Sequence, residues 1–191
     1  KIIEEQSNRL IHLVENVLSV SKMNASIEVL KKVDVNEVIK RIIPMFTEQY
    51  KTRKFVQKLN SNLPPARLDE DKFQQILTNL IDNAAKYSTD GKTVTISTEL
   101  VENFVEIKIT DEGVGIKKED FDKVFKKFSR LENHLTSTTQ GNGLGLYITK
   151  QLVENMGGQI SFTSEINKGT TFRVLMPVYN QEEVLRCSHK S

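Results

Sequence analysis

The sequence predicts an α+β fold: a two-layer α/β sandwich, one sheet covered on one face by helices, preceded by a long amphipathic helix. Three observations predict it. Apolar residues recur at helical spacing in several separate stretches, two of them opened by capping residues. Strict apolar–polar alternation marks two pairs of neighbouring strands, each pair joined by a short turn. The helical and antiparallel patterns are interspersed along 191 residues, enough for one compact domain with an appendage or two small domains.

Composition narrows the class. Hydrophobic residues make up 38% and charged residues 27%, as in a globular protein rather than a disordered one. Lys plus Arg number 27 against 25 Asp plus Glu, a net charge of +2, which gives no basis for nucleic-acid binding. Cys187 is the single cysteine, so no internal disulfide framework exists and a cytosolic thiol is the simplest reading. No apolar run approaches the roughly 20 residues that cross a bilayer. The first residues, Lys1-Ile2-Ile3-Glu4-Glu5, begin inside a helical pattern with neither Met nor signal peptide. The expectation is a cytoplasmic portion of a longer parent, with any membrane anchor upstream.

The elements follow in order. Ile3, Leu10, Leu13, Val14, Val17 and Val20 step by three, four and seven, one face of a helix reaching about Met23. Charges flank the stripe and no Gly or Pro interrupts it, which fits a bundle or dimer helix better than one packed on its own domain. A break at Asn24-Ala25-Ser26 follows, and residues 26–178 read as the main domain. Asp34 with Glu37 resembles a capping box for a helix through Ile39, Ile42, Ile43 and Phe46, which Pro44 should kink. Phe55 to Leu59 suits a strand, and Leu63-Pro64-Pro65 a stop. Asp69 caps a second helix that buries Phe73, Ile76, Leu77, Leu80, Ile81 and Ala84. Val94, Ile96 and Thr98, then Val105, Ile107 and Ile109, alternate as two antiparallel strands joined around Glu102-Asn103. A third helix runs from about Leu144 to Met156, and two more strands carry Ile160, Phe162, Phe172, Val174 and Met176 across a turn at Asn167-Lys168-Gly169. Residues 179–191 read as a C-terminal tail.

Four clusters carry chemistry. Asn79, Asn83, Lys86 and Tyr87 recur at helical spacing along one edge of the second helix. An amide oxygen there suits Mg²⁺, a lysine one turn on can reach a phosphate, and a tyrosine can cover a base. Asp111-Glu112-Gly113-Val114-Gly115-Ile116 ends a strand in a glycine turn, where an aspartate can accept from the exocyclic amine of adenine. Val124 to Arg130 places Phe125 and Phe128 three apart, anchoring a short helix, with Arg130 free to face an anion. Gly141-Asn142-Gly143-Leu144-Gly145-Leu146 opens the third helix, a phosphate seat in principle. It follows no strand of a βαβ unit, which argues against a Rossmann site. The small, polar residues 131–140 read as a lid. Taken singly, each cluster also has an ordinary reading: a solvated face, a simple turn, core phenylalanines, a lone glycine motif.

Their order is more specific than any one of them. NLIDNAAKYS, DEGVGI, FKKFSR, GNGLGL and GTTF resemble, in sequence, the N, G1, F, G2 and G3 boxes of sensor histidine kinases, over about residues 69–178. LVENVLSVSKMNA, ending the first helix, looks like the second helix of that family's dimerisation and phosphotransfer hairpin, giving residues 1–25 that role. The resemblance implies a Bergerat-type ATP-binding fold of the GHKL superfamily with ATP and Mg²⁺ as cofactors. It makes Asn83 the Mg²⁺ ligand and Asn79 its companion, Lys86 a phosphate contact, and Tyr87 the aromatic against the base. Asp111 then reads the adenine amine in a pocket shaped by Gly113, Gly115 and Ile116. Arg130 lies near the γ-phosphate, and Gly141, Gly143, Leu144, Gly145 and Leu146 form the lid hinge and phosphate turn. Asn79, Lys86 and Arg130 are the catalytic set. The implied partners are a response-regulator receiver domain and the chain's own phosphoacceptor hairpin within a homodimer.

Two departures matter. The family's acceptor is a His followed by an acidic residue in the first hairpin helix, whereas His12 lies between Ile11 and Leu13 in the wrong helix. His134 and His189 lack the context too. Related hydrolases place a glutamate one turn before the Mg²⁺ asparagine, and here that position is Asn79, whose amide takes no proton near neutral pH. Transfer to a protein nucleophile is therefore favoured over hydrolysis. An ATP-binding scaffold and a serine-type kinase or ATPase of the same superfamily are the alternatives.

Overall fold

The computed structural model describes residues 30–89, 91–129 and 143–180. The expected helix over residues 3–23 with His12, the lid residues 131–140 with His134, Arg130, Gly141, and the tail beyond 180 with Cys187 and His189 lie outside them. The elements are β1 (Lys31–Val33), α1 (Val35–Gln49), β2 (Lys54–Leu59), β3 (Ala66–Leu68), α2 (Glu70–Tyr87), β4 (Thr93–Val101), β5 (Phe104–Asp111), a 3-10 helix (Lys118–Lys123), α3 (Gly145–Asn155), β6 (Gln159–Glu165) and β7 (Gly169–Pro177).

Both predicted caps form. Asp34 Oδ1 accepts from the backbone N–H of Asn36 and Glu37 at 2.9 and 3.2 Å, and Asp69 Oδ1 from that of Lys72 at 3.1 Å. Glu37 does not return the bond to its cap; it pairs with Lys40 at 2.8 Å. Pro44 does not end α1, which continues to Gln49 with the proline on its exposed side. The helix survives because Val35, Val38, Ile39, Ile42, Ile43 and Phe46 are buried along one face, and each large side chain contributes about 1.5–3 kcal/mol. In α2 the buried side is Phe73, Ile76, Leu77, Leu80, Ile81, Ala84 and Ala85, as the spacing predicts.

The five-stranded sheet has the order β2-β4-β5-β7-β6, and β1 pairs with β3 in a separate antiparallel sheet. β2 runs parallel to β4, a direction the sequence reading left open; the other neighbours are antiparallel, as expected for both hairpins. The two hairpins turn where the sequence places them, with Glu102 at φ 54° and Asn167 at φ 60°. Register aligns Ile96, Ile109 and Phe172, and beside them Thr98, Ile107 and Val174, as one buried row after another. The period-2 alternation of β5 does not stop at Ile109. It delivers Asp111, opposite Val94, to that same buried face.

The other face is polar. There Glu106 pairs with Lys108 and Arg173. Burial raises its pKa, but the two cations outweigh that and hold its carboxyl below the ordinary value.

The helix expected around Phe125 and Phe128 is not found. The chain forms the 3-10 helix just before it and then turns. Phe125 packs edge-on against Phe162 and Phe172, with ring centroids 5.8 and 6.4 Å away, whereas Phe128 is 70% exposed at φ 59°. Among the described residues no helix is long and apolar enough to cross a membrane.

Candidate functional site

At the end of β5, Asp111 is 5% exposed and its Oδ1 accepts two backbone N–H groups, from Gly113 at 2.8 Å and Thr170 at 3.2 Å. No described residue donates to Oδ2. Burial pushes the carboxyl up to about 6, and the two backbone donors oppose that rise. The result is a carboxylate whose one oxygen is fixed by the frame and whose other oxygen retains accepting capacity.

The loop after Asp111 is stitched to two elements. Val114 N–H donates to the Tyr87 carbonyl at the end of α2 (3.2 Å), and Asn167 N–H to the Val114 carbonyl (2.9 Å). Ile116 N–H donates to Ser164 Oγ at 2.8 Å, and that hydroxyl reaches the Gly169 carbonyl and Thr170 Oγ1 at 3.0 and 2.9 Å. Gly113 has no room for a side chain: a Cβ there would lie 2.3 Å from the Tyr87 carbonyl and 2.6 Å from Asp111 Oδ1. Gly115 is equally confined, by the Glu165 carbonyl. Asp111, Gly113, Gly115, Ile116 and Tyr87 thus form one assembly.

A second assembly joins α2 to α3. Asn79 Nδ2 donates to Thr149 Oγ1 at 2.7 Å, and a Cβ on Gly145 would lie 2.4 Å from Asn79 Oδ1. α3 begins at Gly145 behind Leu144, an apolar cap residue with no capping oxygen, so its first N–H groups suit an anion. Leu144 is buried and Leu146 packs against the core. Asn83 lies between the two assemblies on α2, partly exposed. Among the described residues no three His, Cys, Asp or Glu side chains gather to hold a metal, and the amides of Asn79 and Asn83 carry oxygens of the hard type that Mg²⁺ takes. They suit an ion that also takes phosphate oxygens.

Lys86 is not extended toward either assembly. It pairs with Asp82 one turn earlier, and Asp82 accepts from the Tyr50 hydroxyl at 2.6 Å. Burial and then Asp82 raise the pKa of Tyr50. The Asp82–Lys86 pair has i,i+4 spacing, a signal readable in the sequence. Arg53 ties the end of α2 to β2, donating to the Ala85 and Ser88 carbonyls at 3.2 and 2.8 Å. Thr149, Ser164, Thr170, Tyr50 and Arg53 carry no one-dimensional signal of these roles. Gly143, at φ +69°, backs onto Phe128 and Ser129, where a Cβ would meet the Phe128 carbonyl carbon and the Ser129 carbonyl oxygen at 2.8 Å each. Position 143 therefore requires glycine for both its backbone conformation and its close approach.

Residues 68–180 match the family described as histidine kinase-, DNA gyrase B-, and HSP90-like ATPase. The signal transduction histidine-protein kinase ArlS of Staphylococcus haemolyticus is 35% identical over 173 residues, 90% of this chain and 38% of that protein. The chain thus spans well under half the length of the curated relatives it matches. The Acinetobacter baumannii histidine kinase AdeS superposes with a TM-score of 0.75 at 27% identity, over 92% of this chain and 82% of that one. The histidine kinase ThkA, solved in complex with response regulator protein TrrA, shares the fold at a TM-score of 0.75 and 21% identity, over 94% of this chain and 51% of that one. The chain belongs to the histidine kinase-, DNA gyrase B-, and HSP90-like ATPase family, as the catalytic ATP-binding domain of a sensor histidine kinase.

Proposed function

We propose that this domain binds Mg–ATP and transfers the γ-phosphoryl group to a histidine on a phosphoacceptor hairpin, for relay to the aspartate of a response regulator. The observation that carries the reading is Asp111: one oxygen is held by the Gly113 and Thr170 N–H groups, and no described donor takes the other. That oxygen accepts from the adenine amine, and Tyr87, Gly113, Gly115 and Ile116 shape the pocket around the base. Guanine presents a carbonyl at the same place and is rejected.

Asn83, with Asn79 beside it, supplies amide oxygens for Mg²⁺, which when bound neutralises phosphate charge. The phosphates lie against the turn of Gly141, Gly143, Leu144, Gly145 and Leu146, over the first N–H groups of α3. Lys86 exchanges Asp82 for a phosphate, and Arg130 meets the γ-phosphate, where positioning and charge account for most of the catalysis. Among the described residues near Asn83 none is free to activate water: the Asn79 amide takes no proton and its nitrogen is bound to Thr149, and Asp82 keeps the Tyr50 hydroxyl when Lys86 turns to a phosphate. Residues 1–25 serve as the second hairpin helix, and the parent acts as a homodimer whose catalytic domain faces cytoplasmic ATP.

Calorimetry with Mg–ADP and Mg–GDP, followed by transfer from γ-labelled ATP to a separately supplied hairpin, tests this. ADP binds, GDP does not, and acid-labile phosphate appears on the hairpin while His12 stays unlabelled. Rapid release of inorganic phosphate, or acid-stable phosphate on serine, would instead favour the ATPase or serine-kinase alternative. Binding with no transfer at all favours the scaffold.

A further inference from the structure

We propose that Thr149 is a positioning residue: its hydroxyl fixes the side-chain amide of Asn79 so that the amide oxygen is presented at the first residue of α3. The inference rests on the nucleotide–metal reading of Asn79 given above. An asparagine amide can rotate by a half-turn and exchange oxygen for nitrogen at almost no intrinsic cost, so its orientation is set by its partners. Here the nitrogen side is taken by Thr149 Oγ1 at 2.7 Å, on a residue only 1% exposed.

The oxygen side is gripped by packing. The Gly145 backbone comes so close that an added Cβ would lie 2.4 Å from Oδ1, 3.1 Å from Cγ and 3.2 Å from Nδ2. Gly145 and Thr149 are four residues apart on α3, hence one above the other on a single helix face. One face of α3 therefore holds both ends of one amide of α2. The arrangement does two things. It keeps an oxygen, the atom a hard cation requires, on the side where the helix begins. It also links the position of α3 to that of the metal-binding edge of α2, so the phosphate seat and the metal donor move as one body.

Thr149→Val keeps the branched shape and removes the acceptor; Thr149→Ser keeps the acceptor. ADP affinity is measured on the whole chain with Mg²⁺ and with EDTA, alongside thermal melting and the side-chain amide resonances of Asn79. Thr149→Val is expected to weaken Mg–ADP about tenfold, the size of one buried hydrogen bond, and to leave metal-free ADP unchanged. Thr149→Ser stays within about twofold of the parent, and the Asn79 amide resonances shift in the valine variant alone. The resonances report on the amide without any ligand bound. A Mg²⁺-dependent parent with an unaffected Thr149→Val overturns this inference alone, as does equal loss with and without metal. A parent whose ADP affinity ignores Mg²⁺ overturns the metal reading and this inference with it.

Discussion

Asp111→Asn separates what the buried carboxylate costs the fold from what it does for the ligand. Its pKa rises from 3.8 to about 6, mainly through burial. At pH above 6 the native state therefore holds an ionised group at a cost of about 3 kcal/mol relative to the unfolded chain. The native carboxyl takes up its proton at higher pH than the unfolded one. Its contribution is thus most favourable below about pH 4 and is lost as pH rises through 6. Asparagine retains an oxygen for Gly113 and Thr170 and carries no charge, though its NH₂ brings a desolvation cost of its own. At about pH 7.5 the variant should exceed the parent by about 1–3 kcal/mol, and by about pH 4.5 the gap should shrink. For adenine the sign reverses: an NH₂ now faces an NH₂, and ADP affinity should fall about a hundredfold, some 3 kcal/mol. In the parent, ADP affinity should decline as pH falls below about 6, where the acceptor protonates. Urea denaturation at the two pH values and ADP calorimetry measure both halves. Equal stability differences at the two pH values refute the buried-charge argument, and ADP binding within threefold of the parent refutes the adenine contact.

Two glycine substitutions probe the frame. Gly145→Ala drives a methyl into Asn79 Oδ1 but gains about 1 kcal/mol of helix propensity, so melting should hardly change while Mg–ADP affinity falls about tenfold; intact affinity with lowered melting contradicts this. Gly169→Ala meets the Asp111 carbonyl oxygen at a φ of +116°, and urea denaturation should show a loss above about 3 kcal/mol, whereas parent-like stability would remove the steric argument.

The helices and hairpins were legible because burial writes a period into the chain: Phe73 to Ala84 at helical steps, Val105 to Ile109 at alternate positions. Asp111 was legible from the glycine turn that follows its strand, whereas its place on the buried face emerged only with the register of β5. The parallel pairing of β2 with β4 was not, since a strand's own residues do not name its neighbour's direction. Phe128 was misread because two aromatics three apart resemble a helical face until the backbone turns left-handed and exposes one of them. Lys86 was correctly placed on the edge of α2, yet its Asp82 partner was in plain view one turn earlier. Thr149 and Ser164 escaped because a hydroxyl acquires its meaning only from what folds against it.

The contact of Gly143 with Phe128 and Ser129 bears on how such a chain can diversify. Ser129 and Gly143, on either side of positions 130–142 in the sequence, are two feet that already touch. A segment joining touching points adds closure entropy only logarithmically with its length, about 0.6 kcal/mol for each doubling. A change of length between those feet thus need not displace the five-stranded sheet, α2 or α3. A single methyl at position 143, by contrast, meets Phe128 and Ser129 and would pry the feet apart.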